Sequence, residues 1–281
     1  MAISKTELAA ASQKLVASVL QMTLKENAML IPTISDYSSW AQPGSDEVSI
    51  IRRDQFAAAD KTEETDLTVQ NLAFTADKLL LDKHKAIYTE LERFGQVQSN
   101  VNAESEILME QARELALQVD KDLITALRAA SAAAPDHIIA MTGAGAVISQ
   151  TDILEFRRLL NVQAVPQEDR TLLISNDQEK ALLAIPSFVE VDKYGPGAQP
   201  LNSAELGRVY GFRVMRHNEM VAAEAFAYHK SAVAYGTQLN PEFKTDENLK
   251  GIKKEYLLHM IYGVKTLDSG KRQVVGNATG A

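Results

Sequence analysis

Cysteine is absent from all 281 residues. That excludes disulfide scaffolds, thiolate zinc sites and cysteine nucleophiles, and it suits a reducing compartment. Tryptophan occurs once, at Trp40, and aromatics make up only 6% of the chain, so Leu, Ile, Val and Ala must fill the core. No stretch approaches about 20 consecutive apolar residues, so no membrane-spanning helix is expected. Positive charge is also scarce: 29 Lys and Arg against 37 Asp and Glu give a formal net charge of −8. A protein that grips nucleic acid needs a dense cationic surface, because neutralised phosphates supply most of the non-specific affinity. The expectation is a chain that does not bind DNA tightly; enclosing DNA without gripping it stays open. Residues 1–15 lack an apolar core behind a basic region, so no signal peptide is expected.

Catalytic motifs are just as sparse. No G-x-S-x-G, H-E-x-x-H or Walker loop occurs. The five histidines, His84, His137, His217, His229 and His259, are scattered, and none has a second histidine or a carboxylate at zinc spacing. His259 alternates with apolar residues and reads as a core or interface histidine. Asp169-Arg170 reads as a structural ion pair or a turn anchor. Gly143-x-Gly145 follows an apolar run and precedes a helix, as a dinucleotide fingerprint would. Its third position is Ile148, where close helix–strand packing asks for Gly or Ala, so a tight turn is the plainer reading. Glu63-Glu64 lie in a polar stretch, where a raised carboxylate pKa would need burial. No catalytic, cofactor-binding or metal-binding residue is assigned, and no cofactor is expected.

What is present is a succession of periodic segments. Residues 6–24 carry Leu8, Leu15, Val16, Val19, Leu20 and Met22 at three- and four-residue steps, which predicts an amphipathic arm helix capped by Thr6. Val48–Ile51 predicts a short strand, and the run from Arg52 to Asp66 is strongly polar. Strand-like residues return over Leu67–Thr75 and Lys78–Leu91. Together these predict a long hairpin of about 14 residues per strand, some 45 Å in reach. Its charged tip holds Arg52, Arg53, Asp54, Asp60, Lys61 and Glu63. A two-stranded hairpin alone is marginal in water, so the tip is expected to contact a neighbouring copy of the chain.

From Asn102, a cap, the period becomes 3.6. Leu108, Ala112, Leu115, Val119, Leu123, Ala126 and Leu127 form one apolar stripe, and Ala103–Ala130 predicts a rod of about 42 Å. His137–Met141 is a short apolar run. A helix capped by Ser149 or Thr151 is expected through Leu160. Thr171–Ile174 predicts a buried strand, Ser175 or Asn176 caps the next helix, and Pro186 ends it. Tyr194-Gly195-Pro196-Gly197 is loop chemistry. Gly211–Val214 opens another strand, and Ala222–Thr237 and Lys253–Val264 are strand-like. Gly270–Ala281 is small and polar and is expected to fray.

The stretch Val165–Val214 carries a family resemblance. V-P-Q-E-D-R-T-L-L-I, followed after a loop by L-G-R-V-Y-G-F-R-V, resembles the axial-domain signature of tailed-bacteriophage major capsid proteins. Leu79-Leu80-Leu81-Asp82 through Leu91-Glu92 and Gln98-Ser99-Asn100 resembles that family's hairpin return strand. Leu117, Val119, Asp120 and Leu123 resemble a recurring segment of its spine helix. Ile153-Leu154-Glu155 with Arg157-Arg158-Leu159-Leu160 is similar to the helix before the V-P-x-x-D-R stretch. Tyr262-Gly263-Val264-Lys265 and Arg272-Gln273-Val274-Val275 resemble its closing strands.

The resemblance implies an α+β chain with the tailed-phage major capsid protein fold. Its parts would be an N-terminal arm (1–37), an extended hairpin loop (38–92), a peripheral domain with a spine helix (93–142), an α/β axial domain (143–250) and returning strands of the peripheral domain (251–281). Tyr194, Gly195, Pro196 and Gly197 would form an axial-domain loop. The implied function is to self-assemble, as hexamers and pentamers, into the icosahedral shell of a tailed dsDNA phage within the host cytoplasm. A separate scaffolding protein, a portal and decoration proteins are the implied partners, with no membrane involved. Two alternatives stand beside it: an encapsulin-type nanocompartment shell, and a nucleotide-dependent enzyme built on the Gly143–Gly145 turn.

Overall fold

A helix with an apolar residue at every third or fourth position must bury one stripe, and here that stripe organises half the chain. The computed structural model describes residues 29–42, 44–53, 58, 60–61, 69, 74–92, 103–133, 135–185, 207–248 and 251–280. The expected arm helix over residues 6–24, the Asn102 cap and the Tyr194–Gly197 loop lie outside them. The long helix α1 spans Ala103–Arg128, two residues short of expectation. Its end is closed from outside: Thr266 Oγ1 and Gln273 Nε2 both donate to Ala126 O. Ala112, Leu115, Ala116, Val119, Leu123, Ile124 and Leu127 are buried. Each fully buried Leu, Ile or Val contributes about 1.5–3 kcal/mol.

That stripe packs on a four-stranded sheet of order β1-β10-β11-β4, where β1 is Ser35–Asp36, β4 Lys83–Glu92, β10 Val233–Asn248 and β11 Lys253–Thr266. Alternation selects the buried face: Tyr256, Leu258, Met260 and Tyr262 of β11 face the core, with Ile87 and Leu91 of β4 packed beside them. The second sheet has six strands in the order β5-β12-β9-β6-β8-β7. These are β5 (Ile138–Ala140), β6 (Arg170–Ile174), β7 (Arg208–Val209), β8 (Phe212–Arg216), β9 (Ala225–His229) and β12 (Gln273–Asn277). Its central strands are buried on both faces, which is why Leu172–Ile174 of β6 read as an apolar run without alternation. Leu173, Phe226, Tyr228 and Val275 enter the core under α1. Leu172, Ile174, Ala225, Ala227 and Val274 enter a second core with helices α2 (Gln150–Val162) and α3 (Asn176–Leu183). Ser149 and Ser175 cap those helices, and Ser149 closes a reciprocal capping box with Asp152.

Two expectations are corrected. Among the described residues the hairpin ladder pairs β2 (Glu47–Arg53) with β3 (Phe74–Leu80), and the expected return strand over Lys78–Leu91 does not continue it. Lys83–Glu92 leaves it and pairs with β11 instead, from Tyr262↔Lys83 to Lys253↔Glu92. The break follows from Leu81, which is buried on the body and gives its N–H to Asp46 O. The segment expected to fray instead holds β12, which lies between β5 and β9 because Val274 and Val275 each fill one of the two cores. The two sheets exchange strands along the chain. β10 crosses from β9 into the four-stranded sheet through the short turn Lys230–Ala232, while β12 returns to the six-stranded one. Among the described residues, no helix is long and apolar enough to cross a membrane.

Candidate assembly surface

The β2–β3 ribbon lies on the body by one face only. Antiparallel pairing puts opposed residues on the same side, so Val48, Ile50 and Leu79 turn inward with Leu81 and meet Ala234 and Leu267 in a small third core. The seat is a cross-strand glycine pair, Gly236 of β10 opposite Gly263 of β11. The Leu80 carbonyl rests on Gly263 so closely that a Cβ there would lie 2.9 Å from its carbon. Glycine inside a strand commonly marks such an approach of another backbone.

Arg52, expected at the tip against a neighbouring copy, bonds within its own chain. Its guanidinium bonds Asp268 of the turn after β11, and its Nε lies 3.0 Å from Asp77 Oδ2, at ion-pair distance though off the hydrogen-bond line. Asp268 also gives its backbone N–H to Asp77 (3.2 Å) and pairs with Arg272 (3.3 Å). Arg52, Asp77, Asp268 and Arg272 therefore clamp the ribbon to the body. The clamp sits on Asp268-Ser269-Gly270, three consecutive residues with positive φ. Asp60 and Lys61 are exposed. Arg53 ends β2 opposite Phe74, whereas Asp54 and Glu63 fall outside the described residues.

The ribbon's outward face carries an apolar strip that sequence reading missed. Ile51 (64% exposed), Phe74 (56%) and Leu80 (51%) share it with Ala76, beside the exposed ion pair Lys78–Glu47. The signal was available in the alternation of Leu80, Lys78, Ala76 and Phe74, but only once the register was fixed. Large apolar side chains gathered on one exposed face mark interaction surfaces.

The outer face of β4 and β11 is polar. Tyr88 Oη donates to Glu90 Oε1 (2.8 Å), and Lys253 Nζ lies 3.0 Å from Glu90 Oε2. Both hold the Glu90 carboxyl below its ordinary range. The sheet also joins two histidines that the sequence keeps far apart. His84 and His259 meet edge to face at 5.4 Å, and His259 Nε2 lies 3.5 Å from Glu242. His259 Nδ1 is buried without a partner, and burial chiefly holds the ring below the ordinary histidine value. Among the described residues no group of His, Asp and Glu is arranged to hold a metal ion.

The remaining sequence candidates are structural. Gly143 N–H bonds Val147 O (3.1 Å), and Gly145 turns with φ +85, a tight turn. At the following helix N-terminus, where a phosphate would sit, the Asp152 carboxylate already accepts N–H groups from Ser149 (2.8 Å) and Thr142 (3.1 Å). Arg170 does not pair with Asp169. It donates to Val165 O, Pro166 O and Asn161 Oδ1 and so anchors the turn after α2.

Known proteins can be set against this architecture. No curated protein matches the sequence. A solved structure of Mycobacterium phage Che8 has a similar fold at 20% identity, with 90% of this chain and 92% of that one covered and a TM-score of 0.72. The mature capsid of bacteriophage PhiM1 is similar at 16% identity, covering 90% and 87%, with a TM-score of 0.68. A virus-like particle from Pyrococcus furiosus is similar at 8% identity, covering 95% and 99%, with a TM-score of 0.61. The model of the phage capsid protein family matches residues 81–275. That span holds α1, the V-P-x-x-D-R turn and every strand of the two sheets except β1 and the last two residues of β12, and the chain belongs to the phage capsid protein family.

Proposed function

We infer that the chain is the major capsid protein of a tailed phage and builds its icosahedral shell from copies of itself as hexamers and pentamers. The family match over residues 81–275 carries this reading. The unpartnered strip of Ile51, Phe74, Ala76 and Leu80 supports it, since a neighbouring copy would bury that strip. Arg52, Arg53, Asp54, Asp60, Lys61 and Glu63 would add charged contacts around it. The role is structural, with no catalytic step. Shells would form in the host cytoplasm with a separate scaffolding protein, a portal and decoration proteins, and the Tyr194–Gly197 loop would belong to the axial domain. With a net charge of −8 the shell would confine dsDNA rather than grip it.

A second reading, a nanocompartment shell around protein cargo, is favoured only by the likeness to the Pyrococcus furiosus particle. Electron microscopy of the purified full chain tests the shell reading, and nucleic acid or protein content separates the two. The double variant Ile51→Ser, Phe74→Ser should fold normally, because both side chains are exposed, yet yield few closed particles. A chain that sediments only as a well-behaved monomer under all conditions would overturn the shell reading. Normal particles from the double variant would remove the strip from the interface.

A further inference from the structure

The least expected charge in the molecule is Asp120, which is fully buried in the middle of α1. Three donors from two other parts of the chain converge on its carboxylate. Met29 N–H reaches Oδ2 at 3.1 Å, Leu30 N–H reaches Oδ1 at 3.4 Å, and His217 Nε2 reaches Oδ2 at 3.1 Å. His217, 3% exposed, follows β8; its Nδ1 accepts the N–H of Glu219 at 3.2 Å. That bond leaves Nδ1 without a proton, so Nε2 carries the hydrogen and donates to Asp120. The segment held in this way is itself fixed downstream. Leu30 and Ile34 are buried under α1, and Thr33 Oγ1 bonds the Tyr228 hydroxyl at 2.7 Å. Nothing in packing alone demands a carboxylate at this depth, and a buried charge is costly unless fully hydrogen-bonded. Its partners are the backbone amides at which the N-terminal 28 residues join the body.

We propose that Asp120 is the positioning residue that fixes the place and direction of the backbone at Met29 and Leu30 on the body, with His217 as the donor that holds Asp120 in place. In a closed shell every copy would then present Met29 alike. Two backbone N–H groups bound to a rigid helix would define that direction; an apolar contact would not, because it is non-directional.

The test uses the full-length chain with His217→Leu, His217→Gln and Asp120→Asn. Leucine fills the space without a donor. Glutamine can donate to Asp120 and accept from Glu219. Hydrogen–deuterium exchange is followed by mass spectrometry on the peptide covering residues 29–34, with a peptide from α2 as internal reference. Exchange should quicken by about tenfold or more in His217→Leu and Asp120→Asn and stay within about threefold of the parent in His217→Gln. Unchanged exchange in His217→Leu overturns the proposal, as does equal quickening in the α2 peptide, which would mean general loosening. The second readout, particle uniformity by electron microscopy, rests on the shell reading. Malformed particles from His217→Leu, restored by His217→Gln, support positioning; uniform particles despite fast exchange overturn it. A parent chain that forms no particles would sink the shell reading, and the exchange comparison would still decide whether the node holds the segment.

Discussion

Replacing Gly263 by Ala should damage the seat of the ribbon and leave the sheet beneath it intact. A Cβ at Gly263 would lie 2.9 Å from the Leu80 carbonyl carbon, with the oxygen nearer still and the Leu81 side chain at 3.2 Å. Ordinary contact begins at 3.4 Å, so the Leu80 peptide must retreat by at least about half an ångström. It has little room to do so. Leu79 and Leu81 are buried on either side, and Leu81 N–H is committed to Asp46 O. Overpacking of this kind costs about 1–3 kcal/mol. At this chain length each kcal/mol lowers Tm by about 2–4 °C.

Gly251→Ala is the control. It sits in the β10–β11 turn, where a Cβ would meet nothing nearer than 3.4 Å, the side chain of Lys253. Thermal unfolding of dispersed subunits should show a fall of several degrees for Gly263→Ala and little change for Gly251→Ala. Faster amide exchange should be confined to Leu79–Leu81 and the ribbon. If the two variants melt together, the close seat does not constrain the ribbon and the reasoning fails.

Arg52→Ala should cost about 1–3 kcal/mol in the subunit itself, because it leaves Asp77 and Asp268 facing each other without their shared cation. Lys78→Ala, which removes only the exposed pair with Glu47, should cost about 0–1 kcal/mol, so equal losses in chemical denaturation would contradict the clamp. Acid should weaken the fold through His259. Burial holds its folded pKa below the ordinary 6.5, with Lys244 and His84 acting in the same direction and Glu242 against it. The unfolded chain therefore takes up the proton first, and stability present at neutral pH is lost as pH falls through 6.5 and on through the folded value. His259→Gln should flatten the decline in Tm between about pH 7 and about pH 5, and an unchanged slope would refute the assignment.

The elements legible in the sequence were those whose cause is local. α1 was visible because its stripe repeats over seven turns, and α2 because Ser149 and Asp152 form a cap three residues apart. β6 was visible as an apolar run, since burial on both faces removes alternation. What stayed hidden was pairing at long range. Leu80 and Lys83 both read as strand, and nothing local says that one pairs with β2 and the other with β11. The same limit hid both polar nodes. Arg52 finds Asp268 across 216 residues, and Asp120 finds His217 across 97. Composition even misled: a glycine-bearing C-terminus looked frayed, although β12 within it lies between two strands.

The distribution of the cores separates a rigid body from a lightly held ribbon. Two large cores share the six-stranded sheet, so α1, α2 and both sheets behave as one solid. The ribbon is joined to that solid by six buried apolar residues, a glycine seat and a four-residue charge clamp. Regions with few buried contacts open at lower free energy than the body. On the proposed reading the ribbon would settle against a neighbour without disturbing the cores, with the clamp setting its resting angle. Each exposed ion pair it made there would contribute only about 0–1 kcal/mol. Contacts that weak, repeated on a rigid body, would let a misplaced copy leave, which a few strong ones would prevent.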